Sequence, residues 1–316
     1  MRDSSRGRTR TKRRVRGAAG ALAAGVLLAV AGCGGADRAP SGATPRGERS
    51  AAPTAGPKPK PTPEWDRSPA SLVAVGDSIT RGFDACSVLA DCPEVSWATG
   101  TNASVNSLAL RLLGPEGAAS RSWNLAVSGS RMSDLPQQMT RAAAHRPELV
   151  TVLTGANDAC RSSVAAMTPV ADFRASFEKS LRTLRAELPK TQVYVASVPD
   201  LKRLWSQGRA TPAAKQVWAL GVCPSMLGDA DATSGRAAAR RDAVRTRVQD
   251  YNEVLREVCA KDRWCRYDGG AVFSFAFGGA QLSQWDWFHP SVDGQRRLAE
   301  LAYRGVAQAA PRQPRP

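Results

Sequence analysis

Two histidines in 316 residues restrict any histidine-dependent chemistry to two positions. His145 lies in Ala-Ala-Ala-His-Arg-Pro at the end of a helical pattern, where a capping role is the plain explanation. His289 follows Asp286 by three residues in Asp-Trp-Phe-His-Pro, a spacing that lets the carboxylate hold one ring tautomer and stabilise the imidazolium. A histidine so held can activate a serine, whose hydroxyl is a poor nucleophile until a base accepts its proton. Gly76-Asp77-Ser78-Ile79-Thr80 offers such a serine. Two further turns, Val127-Ser128-Gly129-Ser130 and Gly155-Ala156-Asn157-Asp158, offer backbone amides and a side-chain amide. No cysteine pair has Cys-x-x-Cys spacing and neither histidine sits in a ligand cluster, so no metal and no other cofactor is expected. A Gly-x-Ser-x-Gly elbow is absent.

These groups need a scaffold that brings them together. Short apolar runs at 71–75, 122–127, 148–154 and 191–198 read as buried strands, with a last short one at 264–267. Between them lie helical patterns at 106–113, 135–145, 172–188 and 237–261, and a closing helix at 291–308. The alternation predicts a doubly wound α/β fold, whose sites form outside the carboxyl ends of the strands. The first three strands run into the serine, Gly129 and Asn157 turns. Residues 200–235 break the rhythm and read as an insertion or lid. Arg240, Arg241, Arg245 and Arg247 on the 237–261 helix read as a solvated basic face. Trp205, Trp218, Trp285 and Trp287 fall in the irregular regions, where packing is favoured over lining an acyl groove.

With the blocks in place, the chain resembles the SGNH/GDSL hydrolases over roughly 70–305. The family's serine, glycine, asparagine and histidine markers fall, in order, on Ser78, Gly129, Asn157 and His289. The resemblance implies a flavodoxin-like three-layer α/β/α sandwich with a parallel sheet. It implies Ser78 as nucleophile, His289 as base, and an oxyanion hole made by the backbone N–H groups of Ser78 and Gly129 with the Asn157 side chain. Asp286 matches the family's carboxylate, although some relatives orient the histidine with a backbone carbonyl. Trp97 with Thr99-Gly100, and Asn124 to Gly129 with Asp134-Leu135-Pro136, are similar to the phospholipase B-like branch. The implied activity is hydrolysis of a lipid or acyl ester. A carbohydrate O-deacetylase is the alternative within the fold, and a non-catalytic surface-binding lipoprotein is the rival outside it.

Composition sets the setting. At 42% apolar and 23% charged residues, the chain is not a disordered one. The net charge of +16 suggests a polyanion partner until it is located: residues 1–32 hold eight basic residues and one acidic one. That segment contains, at 18–31, an apolar run of about 14 residues, too short to span a bilayer and suited to a signal peptide. It ends Val30-Ala31-Gly32-Cys33, which resembles a bacterial lipobox with Cys33 as the lipidated residue and membrane anchor. Residues 33–67 are rich in Pro, Gly, Ala, Ser and Thr and read as a disordered stalk, leaving 68–310 as the hydrolase domain. An exported monomer without nucleic-acid partners is expected. Six further cysteines in an exported chain predict disulfides. They allow 15 pairings, of which Cys86–Cys92, Cys160–Cys223 and Cys259–Cys265 is the simplest scheme.

Overall fold

The computed structural model describes residues 64–308. The signal-like segment 1–32, Cys33 and most of the 33–67 stalk lie outside the described residues. Five strands, β1 (Leu72–Gly76), β2 (Ser122–Asn124), β3 (Leu149–Leu153), β4 (Gln192–Val195) and β5 (Cys265–Tyr267), form one parallel sheet in the order β2-β1-β3-β4-β5. The central three are buried throughout and the two edge strands only half so. That is why Leu-Val-Ala-Val and Leu-Val-Thr-Val-Leu are unbroken: a parallel strand with both faces covered has no polar side to display.

The helices are α1 (Ser78–Arg81), α2 (Leu108–Ser120), α3 (Leu135–Ala144), α4 (Ala156–Ala159), α5 (Val170–Glu187), α6 (Leu201–Gly208), α7 (Pro212–Trp218), α8 (Pro224–Leu227), α9 (Gly235–Ala260), α10 (Ala271–Ser274) and α11 (Val292–Ala307). The chain steps outward from β1 to β2 and then reverses to β3. Right-handed crossovers therefore place α2 on one face and α3, α5 and α9 on the other. Packing agrees: α3 lies on α5, α5 on α9, and α11 joins α2. Phe173 of α5 stacks on Tyr251 of α9 with ring centroids 4.1 Å apart. The strand order reverses between β1 and β3, which opens a crevice at their carboxyl ends.

Several elements differ from their sequence reading. The second strand was expected to run to residue 127. Its strand geometry ends at Asn124, although Leu125 N–H and Val127 N–H still donate to Ala74 O and Gly76 O. The helix expected at 106–113 continues to Ser120 past a break at Gly114-Pro115, where Gly114 takes φ 68°. Trp65, placed in the stalk by composition, donates its indole N–H to Val306 O, so the domain begins earlier than residue 68.

The largest correction concerns the basic face of α9, of which Arg241 is buried and Arg240, Arg245 and Arg247 are half-buried and bonded to neighbouring elements. Arg241 is 1% exposed, and its guanidinium donates to the carbonyls of Met226, Gly228, Asp229 and Ala232 while lying 4.1 Å from the Trp205 ring. Arg240 donates to Ser225 O and pairs with Asp229, and Arg245 pairs with Asp200. Arg247 donates to Thr168 O. The 200–235 segment is thus three short helices fastened to α9 by cations that read, in sequence, as surface charge. Its Trp205 and Trp218 are buried beneath it. Cys86–Cys92, Cys160–Cys223 and Cys259–Cys265 are disulfide-bonded, as suits an oxidising compartment. Among the described residues, no helix is long and apolar enough to cross a membrane.

Candidate active site

β1 ends at Gly76, whose φ of 147° and close approach to Leu153 O leave no room for a side chain. Asp77 then caps α1 by accepting the Ile79 N–H at 3.0 Å, which sets Ser78 as the first residue of that helix. Two buried glutamines hold the turn. Gln138 of α3 accepts the Gly76 N–H and donates to Gly76 O and Ser130 Oγ. Gln295 of α11 donates to Ile79 O and accepts the Trp97 N–H.

Opposite the serine stands the loop between α10 and α11. Ser78 Oγ lies 2.8 Å from His289 Nε2, and His289 Nδ1 lies 2.5 Å from Asp286 Oδ2. The other carboxylate oxygen of Asp286 accepts the N–H groups of Phe288 and His289, both at 2.9 Å. Of the two arrangements open in the sequence, a side-chain carboxylate therefore faces the ring. Trp218 of α7 donates its indole N–H to Asp286 O at 2.7 Å, and Phe83 and Phe288 set their rings edge-on to the imidazole. Trp287 holds the positive φ of 52° that turns the loop.

Asn157 sits in the first turn of α4, directly after β3, and its Nδ2 donates to Ser130 O at 3.0 Å. That bond ties the amide to the loop carrying Gly129, which takes φ 82°. The backbone N–H groups of Ser78 and Gly129 find no acceptor among the described residues, the condition of donors kept free for a ligand. Behind Asn157, buried Asp158 accepts the Met132 N–H, and burial raises its carboxyl above the ordinary value. Ser78, Asn157 and His289 line one side of a small pocket of about 10 Å³ whose remaining walls are apolar, among them Ile79, Leu201, Leu204, Phe277 and Leu282. Gly129 lies outside that lining.

Burial works against the charge on His289, but the hydrogen bond and charge of Asp286 outweigh it, with smaller help from Asp77 and Asp84. The imidazole is raised above its ordinary 6.5. Burial opposes ionisation of Asp286 too, and the bonds to the His289 ring and to two backbone N–H groups overcome it and lower the carboxyl. Asp77 is pushed up to about 7, chiefly by burial, and its Oδ2 has no partner.

Sequence reasoning missed Asp84. It is buried, accepts the Leu89 N–H at 2.5 Å, and brings a carboxylate oxygen within 4.8 Å of the facing atoms of Asp286 and His289. Burial pushes its carboxyl up, and the charge of Asp286 pushes it further. The trio does not make a metal site, since both imidazole nitrogens are already engaged. Nothing in Phe83-Asp84-Ala85-Cys86 distinguishes this aspartate in sequence. Gln138, Gln295 and Trp218 gave no signal either. His145 lies before β3, at the opposite ends of the strands, stacked on Trp123. Trp97, Thr99 and Asn124, the residues of the phospholipase B-like motifs, support α1 from behind: Asn124 donates to Thr80 O and Thr99 Oγ1, and Trp97 to Thr80 Oγ1. They brace the Ser78 turn without lining the pocket.

A parallel three-layer sheet carrying a serine, imidazole and carboxylate at its topological switch point defines a serine-hydrolase type of site. The chain matches the family of GDSL-like lipases and acylhydrolases over residues 72–302 and belongs to it. It is an ester hydrolase of the GDSL type. No curated protein matches it in sequence. Among solved structures it is similar to a GDSL-like lipase from Parabacteroides merdae, at 17% identity and a TM-score of 0.46 over 78% of this chain and 99% of that one. It is also similar to an extracellular lipase from Streptomyces rimosus, at 18% identity and a TM-score of 0.41 over 75% and 99%. A family 3 carbohydrate esterase from Clostridium thermocellum aligns at 13% identity and a TM-score of 0.44 over 74% and 94%.

Proposed function

We propose that this chain hydrolyses carboxylic esters with an apolar acyl group, by way of an acyl-enzyme on Ser78. The observation that carries the reading is the unbroken line from Ser78 Oγ through His289 to Asp286, at 2.8 and 2.5 Å, opening on an apolar cavity. His289 Nε2 takes the hydroxyl proton as Ser78 Oγ bonds to the carbonyl carbon. The negative charge that develops on the carbonyl oxygen meets the N–H groups of Ser78 and Gly129 and the Asn157 amide. Asp286 stabilises the imidazolium, which then protonates the departing alcohol. A water deprotonated by His289 attacks the acyl-enzyme and returns Ser78 to its starting state. The pocket supports an apolar acyl group over a sugar ring because its walls beyond Asn157 and His289 offer few hydrogen-bonding side chains.

Two measurements test this. A fluorophosphonate should label Ser78, and Ser78→Ala should abolish both labelling and ester hydrolysis; retained hydrolysis overturns the reading. Acyl esters of increasing chain length, run against acetylated sugars, test the substrate class, and preference for the sugars favours the deacetylase. Export with lipidation at Cys33 is part of the same proposal, supported by the leader composition and the three disulfides. Unchanged membrane association after Cys33→Ala would remove it.

A further inference from the structure

The pocket beside Ser78 measures about 10 Å³, which is room for one water-sized group. Its apolar lining is also shut away from solvent. Leu201 and Phe277 are 1% exposed, Leu204 and Leu282 4%, and Ile79 5%. A groove built for a long chain would show its apolar lining to water in the free protein. This lining does not.

The walls are fastened as well. Leu201 and Leu204 belong to α6, whose cap, Asp200, pairs with Arg245 of α9. Arg203 of the same helix donates to Phe277 O at 3.0 Å, which ties α6 to the segment bearing Phe277. Phe275 packs edge-on against the Phe277 ring, with centroids 4.8 Å apart. Leu282 is bridged to Pro290, the residue after His289. Close-packed walls held from several sides do not admit added methylenes without strain.

We infer that this pocket is a size filter for the acyl group: it accepts acetyl, whose one methyl fills it, and excludes medium and long chains. The inference rests on the hydrolase reading and narrows its substrate to acetyl esters. Ser78 Oγ bonds to the acetyl carbon as the ester C–O bond breaks, and the alcohol leaves with the proton carried by His289. Water then releases acetic acid and returns a proton to Ser78. Phe277, the bulkiest wall outside the Asp286–His289 segment, and Leu204 of α6 set the limit. Each methylene beyond what such a pocket holds costs about 10–200-fold in kcat/KM.

The test is kcat/KM of the full chain on p-nitrophenyl acetate, butanoate and hexanoate, with the rate of Ser78→Ala subtracted. Acetate should be the best substrate, and hexanoate at least about tenfold poorer. Leu204→Ala and Phe277→Ala should each raise the hexanoate-to-acetate ratio by about tenfold. Both esters meet the same preparation, so that ratio does not depend on the fraction of a variant that folds. A hexanoate value within tenfold of acetate, or above it, overturns this inference alone. A flat series is what a pocket for the alcohol would give. Ratios unmoved in both variants overturn the assignment of the limit to these walls. No hydrolysis of any ester overturns the hydrolase reading and this inference with it.

Discussion

Ser78 and Asn157 stand directly at the ends of the buried strands β1 and β3, whereas Asp286 and His289 hang on a loop some twenty residues beyond the last strand. The Ser78 side is fixed at a strand end: a glycine that admits a close carbonyl and an aspartate cap set the turn, and two glutamines from distant helices satisfy its backbone groups. The His289 side has only the bonds of Asp286 to the Phe288 and His289 N–H groups within its own loop and no strand end beneath it. Its loop is positioned from outside, by Trp218 reaching from α7 and by Ser283 reaching to Asp84. The proposed site thus combines a serine at the end of a buried strand with a histidine on a loop beyond the sheet. Changes on the two sides should fail in different ways.

Removing the proposed nucleophile should give the largest effect. Ser78→Ala should lower kcat by about 10⁶, measured in single-turnover hydrolysis of an activated ester. On the base side, Asp286→Asn keeps the acceptor for Phe288 and His289 N–H but frees the wrong imidazole tautomer, and kcat should fall by up to about 10⁴. The same variant tests the electrostatics. As the proposed base His289 must be neutral to act, so its raised pKa should place the acid limb of kcat/KM above 6.5. Asp286→Asn should move that limb to lower pH, and Asp84→Asn should move it the same way by less. A limb that stays in place in both variants would break the account of the base side.

Asn157→Ala comes next, with a loss of about 10²–10³ in kcat and little change in KM, since the amide acts on charge that develops only in the transition state. Asp77 tests the nucleophile side through stability. A buried carboxyl raised from 3.8 to about 7 favours folding only while protonated, so its contribution is full below 3.8 and lost as pH rises through 7. Asp77→Asn keeps the cap and removes the charge, so its advantage in melting temperature over the parent should grow between pH 4 and pH 8. The smallest expected effect on chemistry is that of Cys160→Ser with Cys223→Ser. Releasing a bridge between residues 63 apart should lower the unfolding free energy by about 4 kcal/mol while turnover in the cold changes least.

The same contrast explains how much could be read in advance. The central strands were legible because burial on both faces favours runs rich in Val and Leu, and the first three strands ran into glycine-containing turns. Ser78, Gly129 and Asn157 followed from those turns, and His289 from the scarcity of histidine. Asp84 was illegible because its partner lies 202 positions away and no local pattern marks it. Arg241 was misread for a related reason. Its helical position matches a surface stripe, and only the docking of residues 226–232 supplies the four carbonyls that bury it.

Cys160 closes the short helix that carries Asn157, and its bond to Cys223 pins that helix to the segment roofing the cavity. Expression in a reducing cytosol would therefore deliver a chain with its sheet and serine turn assembled but its roof untied. Purification in thiol-containing buffer would drift toward the same material. For anyone preparing this protein, the choice of secretion route and the redox chemistry of the storage buffer then decide how much of the material keeps its roof fastened and stays folded.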